Sequence, residues 1–157
     1  MKTFSTITLL FGFVIFSNAG DGAPKSKDKD EKSDIKKMEG NWTLEKWEQA
    51  GHDYPSEFVG GVKWSVKGDK YSLQMPGSVP LEEGTIKIDQ TKKPMNFDLD
   101  ITGGSDAGKL QVGIYKYEAG VLKICLAFPG VDKRPTDFTS TADNGNILIV
   151  VTTVKKD

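Results

Sequence analysis

Residues 62–75 read Val-Lys-Trp-Ser-Val-Lys-Gly-Asp-Lys-Tyr-Ser-Leu-Gln-Met, and this stretch decides the fold class. Val62, Trp64 and Val66 alternate with Lys63, Ser65 and Lys67, and Tyr71, Leu73 and Met75 alternate with Ser72 and Gln74. A period of two sends successive side chains to opposite faces of a strand, so each run has one apolar and one polar face. Between the runs, Lys67-Gly68-Asp69 contains residues that tolerate positive φ and suit a tight connection. The segment predicts an antiparallel hairpin with one face on a core and the other in water.

The same alternation extends outward. Met95, Phe97, Leu99 and Ile101 face away from Asn96, Asp98 and Asp100, and Ile86 and Ile88 oppose Thr85, Lys87 and Asp89. Further strands are expected at 42–49, 110–117, 121–128, 136–140 and 147–154, with turns at Glu118-Ala119-Gly120 and Asp143-Asn144-Gly145-Asn146. Short strands at roughly 8–12-residue spacing suit a sandwich or a barrel. One-sided strands favour the closed barrel, whose inside is the core. Residues 110–117 are ambiguous, because Leu110-Val112-Ile114 and Gly113-Tyr115-Tyr117 both look buriable. A short N-terminal helix is expected at Ile35–Glu39, capped by Ser33 or Asp34 and ended by Gly40. No long helical pattern follows residue 40, which excludes a βαβ enzyme scaffold.

Ahead of this domain (34–157), Lys2, the apolar run Ile7–Phe16 and the small residues Ser17-Asn18-Ala19 have the layout of a cleaved signal peptide, residues 1–19. The apolar run is about half of the roughly 20 residues a membrane span needs. No cysteine lies near the cleavage point to carry a lipid. A secreted or periplasmic product with no membrane span is expected. Residues 20–33 (GDGAPKSKDKDEKS) hold four Lys and four acids and no large apolar side chain. Such a stretch cannot bury enough surface to offset ordering entropy and reads as a flexible charged linker.

Without the leader, 20 basic and 22 acidic groups remain, a formal charge of −2. Nucleic acid is therefore not an expected partner, since it calls for a clearly basic face. Arg134 is the only arginine and Cys125 the only cysteine, so no internal disulfide can form. The fold rests on its core alone, which a domain of about 120 residues can supply.

The chain also carries an ordered series of motifs: Gly40-Asn41-Trp42 after the short helix, Lys67-Gly-Asp-Lys-Tyr71, Glu83-Gly-Thr85, Asp89-Gln-Thr-Lys-Lys-Pro94, Gly113-Ile-Tyr115, Leu122-Lys-Ile-Cys125, Pro129-Gly130 and Arg134-Pro-Thr-Asp-Phe138. This series resembles the planctomycete-type lipocalin-like domain family of bacterial proteins, from about Asp34 to the C-terminus. The resemblance implies an antiparallel lipocalin-like barrel and no particular activity. It further implies a structural signature in which Gly40 and Trp42 open the first strand and Arg134 closes on the barrel end containing Trp42. An Arg–Trp contact of that kind contributes about 0.5–2 kcal/mol.

Motifs that could carry chemistry read better as structure. Gly103 to Lys109 fits G-x-x-x-x-G-K, but Leu110 stands where Mg²⁺ chemistry needs Ser or Thr, and a strand rather than a helix follows. A glycine-rich strand connection accounts for it. His52 is the only histidine, sits in a loop, and has no Gly-x-Ser-x-Gly partner for a triad. One His and one Cys fall short of a zinc site, so no metal and no cofactor are expected. Cys125, among Leu122, Ile124 and Leu126, reads as a small buried hydrophobe. Glu82 and Glu83 point to opposite faces, while Asp98 and Asp100 share the polar face. Asp143–Asn146 lacks most ligands of a calcium loop, and the sequon Asn41-Trp-Thr43 is expected to be unmodified. No enzymatic activity is expected.

The interior remains. Trp64, Tyr71, Phe97 and Tyr115 are the candidate ligand-binding residues of an aromatic-lined cavity for a small hydrophobic molecule. Against this, an eight-stranded interior is only just wide enough to be filled by side chains, and filling is the favoured reading. The alternative function is a protein–protein interaction or inhibitor-like module acting through strand edges and loops 50–60 and 103–108. Nothing in the sequence specifies the oligomeric state.

Overall fold

The computed structural model describes residues 34–153, so the leader and linker expected at 1–33 lie outside the described residues. The described chain opens with residues 34–38 in helical conformation. Nine strands follow: β1 (Gly40–Gln49), β2 (His52–Asp53), β3 (Lys63–Lys67), β4 (Lys70–Gln74), β5 (Pro80–Asp89), β6 (Met95–Gly104), β7 (Leu110–Glu118), β8 (Val121–Leu126) and β9 (Ile147–Thr153). One six-residue helix, α1 (Ser56–Gly61), lies between β2 and β3. Each strand from β3 to β9 pairs antiparallel with the next, β1 pairs with both β3 and β9, and β2 is an outlying strand on β1. The result is a closed eight-stranded antiparallel β-barrel with one extra strand.

Closure makes the period-two pattern an inside–outside pattern. Trp64, Tyr71, Ile86, Phe97, Leu99, Ile124 and Val151 point inward and are buried, while their neighbours face out. One irregularity changes the phase. The register between β1 and β9 shifts between Leu44 and Lys46, so that Trp42 and Leu44 face in before the bulge and Trp47, opposite Ile149, faces in after it. An extra residue in one strand flips every later side chain to the other face.

The two barrel ends differ. At one end the helical turn 34–38 seals the interior: Met38 is fully buried, its carbonyl accepts a 2.7 Å hydrogen bond from Trp42 Nε1, and Asp34 accepts a 2.9 Å bond from the Tyr115 hydroxyl. Trp42 contacts Trp64 and Tyr117 with ring centroids 6.2 Å apart. The other end, ringed by the β5 start, the β6–β7 turn and the chain after β8, is open.

Several sequence expectations change. No strand forms at 136–140. There Asp137 Oδ1 accepts the Thr139 backbone N–H at 3.0 Å and also the Thr139 hydroxyl, a local bonding pattern that competes with a strand ladder. Asp143–Asn146 is not a hairpin between two strands. It is the turn that delivers a long irregular segment, 127–146, into β9, with Asn144 Oδ1 accepting the N–H groups of Thr141 and Asn146. The helix α1 escaped the sequence reading because its two glycines give it little propensity. It stands because Val59 is buried and Phe58 packs on Trp47.

The segment 127–146 packs on the outer face of β7–β9. Phe138 covers Ile114, Cys125 and Leu148 there, forming a second, smaller core. This resolves the ambiguity at 110–117: Gln111, Gly113, Tyr115 and Tyr117 face inward, whereas Val112 and Ile114 face outward beneath this segment. Arg134 belongs to the same covering and not to Trp42. Its guanidinium forms a bidentate pair with Asp98 (Nη2 to Oδ2 2.9 Å) and donates to the Gly113 carbonyl. The expected closure of Arg134 over Trp42 gives way because Asp98, on the outer face of β6, offers two anionic oxygens matching the guanidinium fork. Trp42, meanwhile, is sealed from the inside by Met38.

Candidate functional site: an open apolar cavity in the barrel

The open half of the barrel is hollow. A cavity of about 390 Å³ runs from the open end to the level of Trp64 and Phe97. The expectation of an interior filled by side chains is corrected here. The bulky aromatics Trp42, Tyr115 and Tyr117 gather at the sealed end and take no part in the cavity wall.

Of the four residues expected to line a cavity, Trp64, Tyr71 and Phe97 do so and Tyr115 does not. Tyr115 lies behind Phe97, with ring centroids 5.9 Å apart, and spends its hydroxyl on Asp34. Burial and the adjacent carboxylate both hold the Tyr115 phenol above its usual range, so it stays protonated and structural. Of the signature residues, Gly40 and Trp42 stand at the start of β1, and neither lines the cavity. The walls are completed by aliphatic side chains of β1, β4, β6, β8 and β9, and Phe128 and Leu81 stand half-exposed at the mouth.

Three polar features enter this apolar space. Glu82 is an inward residue of β5, opposite Leu73 on β4. Its Oε1 accepts a 2.8 Å hydrogen bond from the Tyr71 hydroxyl, the one donor that the described residues give it. Burial raises the Glu82 carboxyl above the ordinary carboxylate range, an effect the Tyr71 hydrogen bond opposes and the nearby Asp106 reinforces. Burial and Glu82 together push the Tyr71 phenol up. Tyr71 lies against Gly84, where any Cβ would collide with the Asp100 carbonyl and approach the ring edge to 3.0 Å. Gln111, the second feature, donates its amide to the Ala127 carbonyl at 2.8 Å and fixes the chain as it leaves β8. The third is Trp47, which lines the cavity, packs on Tyr54 and Phe58 at 5.4 and 6.2 Å, and has a buried indole N–H to which the described residues give no partner. A buried donor left unpaired costs about 1–3 kcal/mol.

Glu82 and Trp47 were not among the sequence candidates. Glu82 was legible, because stepping back from Ile88 and Ile86 through Gly84 in period two reaches it. Trp47 was not, because the bulge after Leu44 reverses the phase of β1.

The remaining candidates are structural. Gly103–Lys109 spans the end of β6 and its connection to β7, closed by a 2.8 Å bond from Gly108 N–H to the Ile101 carbonyl and followed by a strand. Cys125 is fully buried, donates to the Thr139 carbonyl at 3.5 Å, and has its thiol pushed up to about 11 by burial, so it is not an activated nucleophile. His52 is exposed on β2. Asp100 pairs on the outer face with Lys87 at 3.4 Å. Among the described residues, no helix is long and apolar enough to cross a membrane. Comparison with protein-family models, with curated proteins and with solved structures found no match for this chain.

Proposed function

We propose that this protein is an exported lipocalin-like binding protein that holds a small hydrophobic molecule in the open half of its barrel. The observation that carries the reading is the cavity of about 390 Å³. That volume falls within the roughly 300–1,000 Å³ of small-molecule sites, and the walls combine apolar side chains with a few placed polar groups, as such sites do. An interior without a ligand role would be expected to pack to crystal-like density, since each unfilled space forfeits contacts. Export rests on the 1–19 segment, and membership of the planctomycete-type lipocalin-like family rests on the motif series.

Titration with the neutral probe N-phenyl-1-naphthylamine tests this reading. Saturable fluorescence enhancement with energy transfer from Trp47 and Trp64 is the expected result. Ile149→Trp should abolish the enhancement while leaving the urea midpoint unchanged or raised, because the new ring enters empty space. Enhancement that is not saturable, or that survives Ile149→Trp, would rule the cavity out as a binding site.

The interaction-module reading draws on a different observation. Val79, Leu81, Leu110, Phe128 and Val131 are exposed apolar residues, all near the open end, where loops 50–60 and 103–108 also lie. Binding of a protein there would cover the mouth. Loss of probe uptake on adding a host periplasmic or culture extract, reversed by protease treatment of the extract, would favour it over small-molecule binding.

A further inference from the structure

Within the cavity the chemistry is one-sided. Glu82 is its half-buried anionic group, Asp106 stands at the mouth, and no Lys, Arg or His is among the lining residues. Asp106 has a cationic partner outside the cavity, Lys109 Nζ at 2.7 Å, whereas Glu82 has only the neutral hydroxyl of Tyr71. A carboxylate taken from water without a cation is costly and is ordinarily paired or neutralised. Its raised pKa records that cost. Trp47, Trp64, Tyr71 and Phe97 line the same cavity, and aromatic faces attract cations within about 6 Å of the ring centroid.

We infer that the cavity selects small apolar molecules bearing a protonated amine, with the Glu82 carboxylate as counter-ion and the aromatic walls around the apolar body. This inference rests on the binding function proposed above and names its ligand class. The Tyr71 hydroxyl occupies Glu82 Oε1 and so directs the ammonium to the other carboxylate oxygen. The acidic, lysine-free lining disfavours carboxylate ligands such as fatty acids, which would meet Glu82 as a like charge.

Three molecules sharing one ring system test this by isothermal titration at pH 7: 2-(1-naphthyl)ethylamine, 2-(1-naphthyl)ethanol and 1-naphthylacetate. The amine is expected to bind at least about tenfold tighter than the alcohol, a charge-assisted hydrogen bond's worth of preference, and the acetate not measurably. In Glu82→Gln, which keeps an acceptor for the Tyr71 hydroxyl, amine and alcohol should bind equally. Asp106→Asn should retain the amine preference. Uptake of N-phenyl-1-naphthylamine by both variants shows that the barrel is intact. Equal binding of amine and alcohol by the wild type, or an amine preference that survives Glu82→Gln, would overturn the ligand class while leaving the cavity as a binding site. Absence of binding by all three naphthyl compounds and by the neutral probe would overturn both.

Discussion

Replacing Arg134 with alanine should loosen the outer covering of the barrel without unfolding the barrel itself. The guanidinium makes three hydrogen bonds, two to Asp98 and one to the Gly113 carbonyl. The side chains of Arg134 and Asp98 are 28% and 24% exposed, so the pair stands between the surface and buried limits. Exposed pairs contribute about 0–1 kcal/mol, and breaking a buried one costs about 3–5 kcal/mol. A loss of about 2 kcal/mol is expected, because Asp98 can rehydrate while the Gly113 carbonyl loses a charged donor. That loss falls on segment 127–146, which Arg134 ties to β6 and β7, and beneath the same segment lies the Cys125 thiol. The thiol is fully buried with its pKa near 11, so an aromatic disulfide reagent reaches it only when the segment opens. When reclosing outpaces labelling, the rate follows the opening free energy. Arg134→Ala should therefore speed labelling of native protein roughly 30-fold, at about 1.4 kcal/mol per decade. Asp98→Asn, which leaves one neutral acceptor, should fall between the two. A labelling rate within about threefold of the wild type would refute the assignment of Arg134 as the tie.

Tyr115→Phe removes the hydroxyl that Asp34 accepts at the sealed end; it should lower stability by about 1–2 kcal/mol in urea titration and leave probe uptake unchanged, as a residue outside the cavity requires. Glu82→Gln should stabilise the protein at neutral pH. The folded-state pKa of Glu82 lies above its unfolded value, so the folded state binds its proton more tightly and loses stability as pH rises through the raised pKa. The difference between variant and wild type, followed by urea midpoints, should shrink toward pH 4 and be constant above the raised pKa; a difference that grows on acidification would contradict this. Gly113→Ala places a Cβ 2.6 Å from both the Cys125 carbonyl oxygen and Leu126 Cδ2. Overpacking against backbone should cost about 1–3 kcal/mol, read from the thermal midpoint.

The strands were legible wherever a single face is buried. In β3, β4 and β6 the alternation of Trp64, Tyr71 and Phe97 with polar neighbours carries the inside–outside assignment with no other information. It fails in β7 because segment 127–146 buries the outer face of that strand as well, so Ile114 and Tyr115 are both apolar for separate reasons. It fails again at 136–140, where Asp137 bonds its own neighbours in place of a partner strand. Three of the four expected cavity residues lie on its wall, and the fourth is drawn to the sealed end by a hydrogen bond to Asp34, 81 residues away in the chain.

Local pattern by itself therefore determined that this chain makes short antiparallel strands, where most of them turn, and which side faces the core in strands with a single buried face, since those follow from steric alternation between adjacent residues. Tertiary structure alone decided that the barrel is sealed at one end and hollow at the other, that Arg134 meets Asp98, and that Trp47 faces inward beyond a bulge. Each of these depends on the packing of residues distant in sequence. The half-buried carboxylate of Glu82 lies between the two: its phase is written in β5, but its place in a cavity lined by no cationic side chain exists only once eight strands have closed around it.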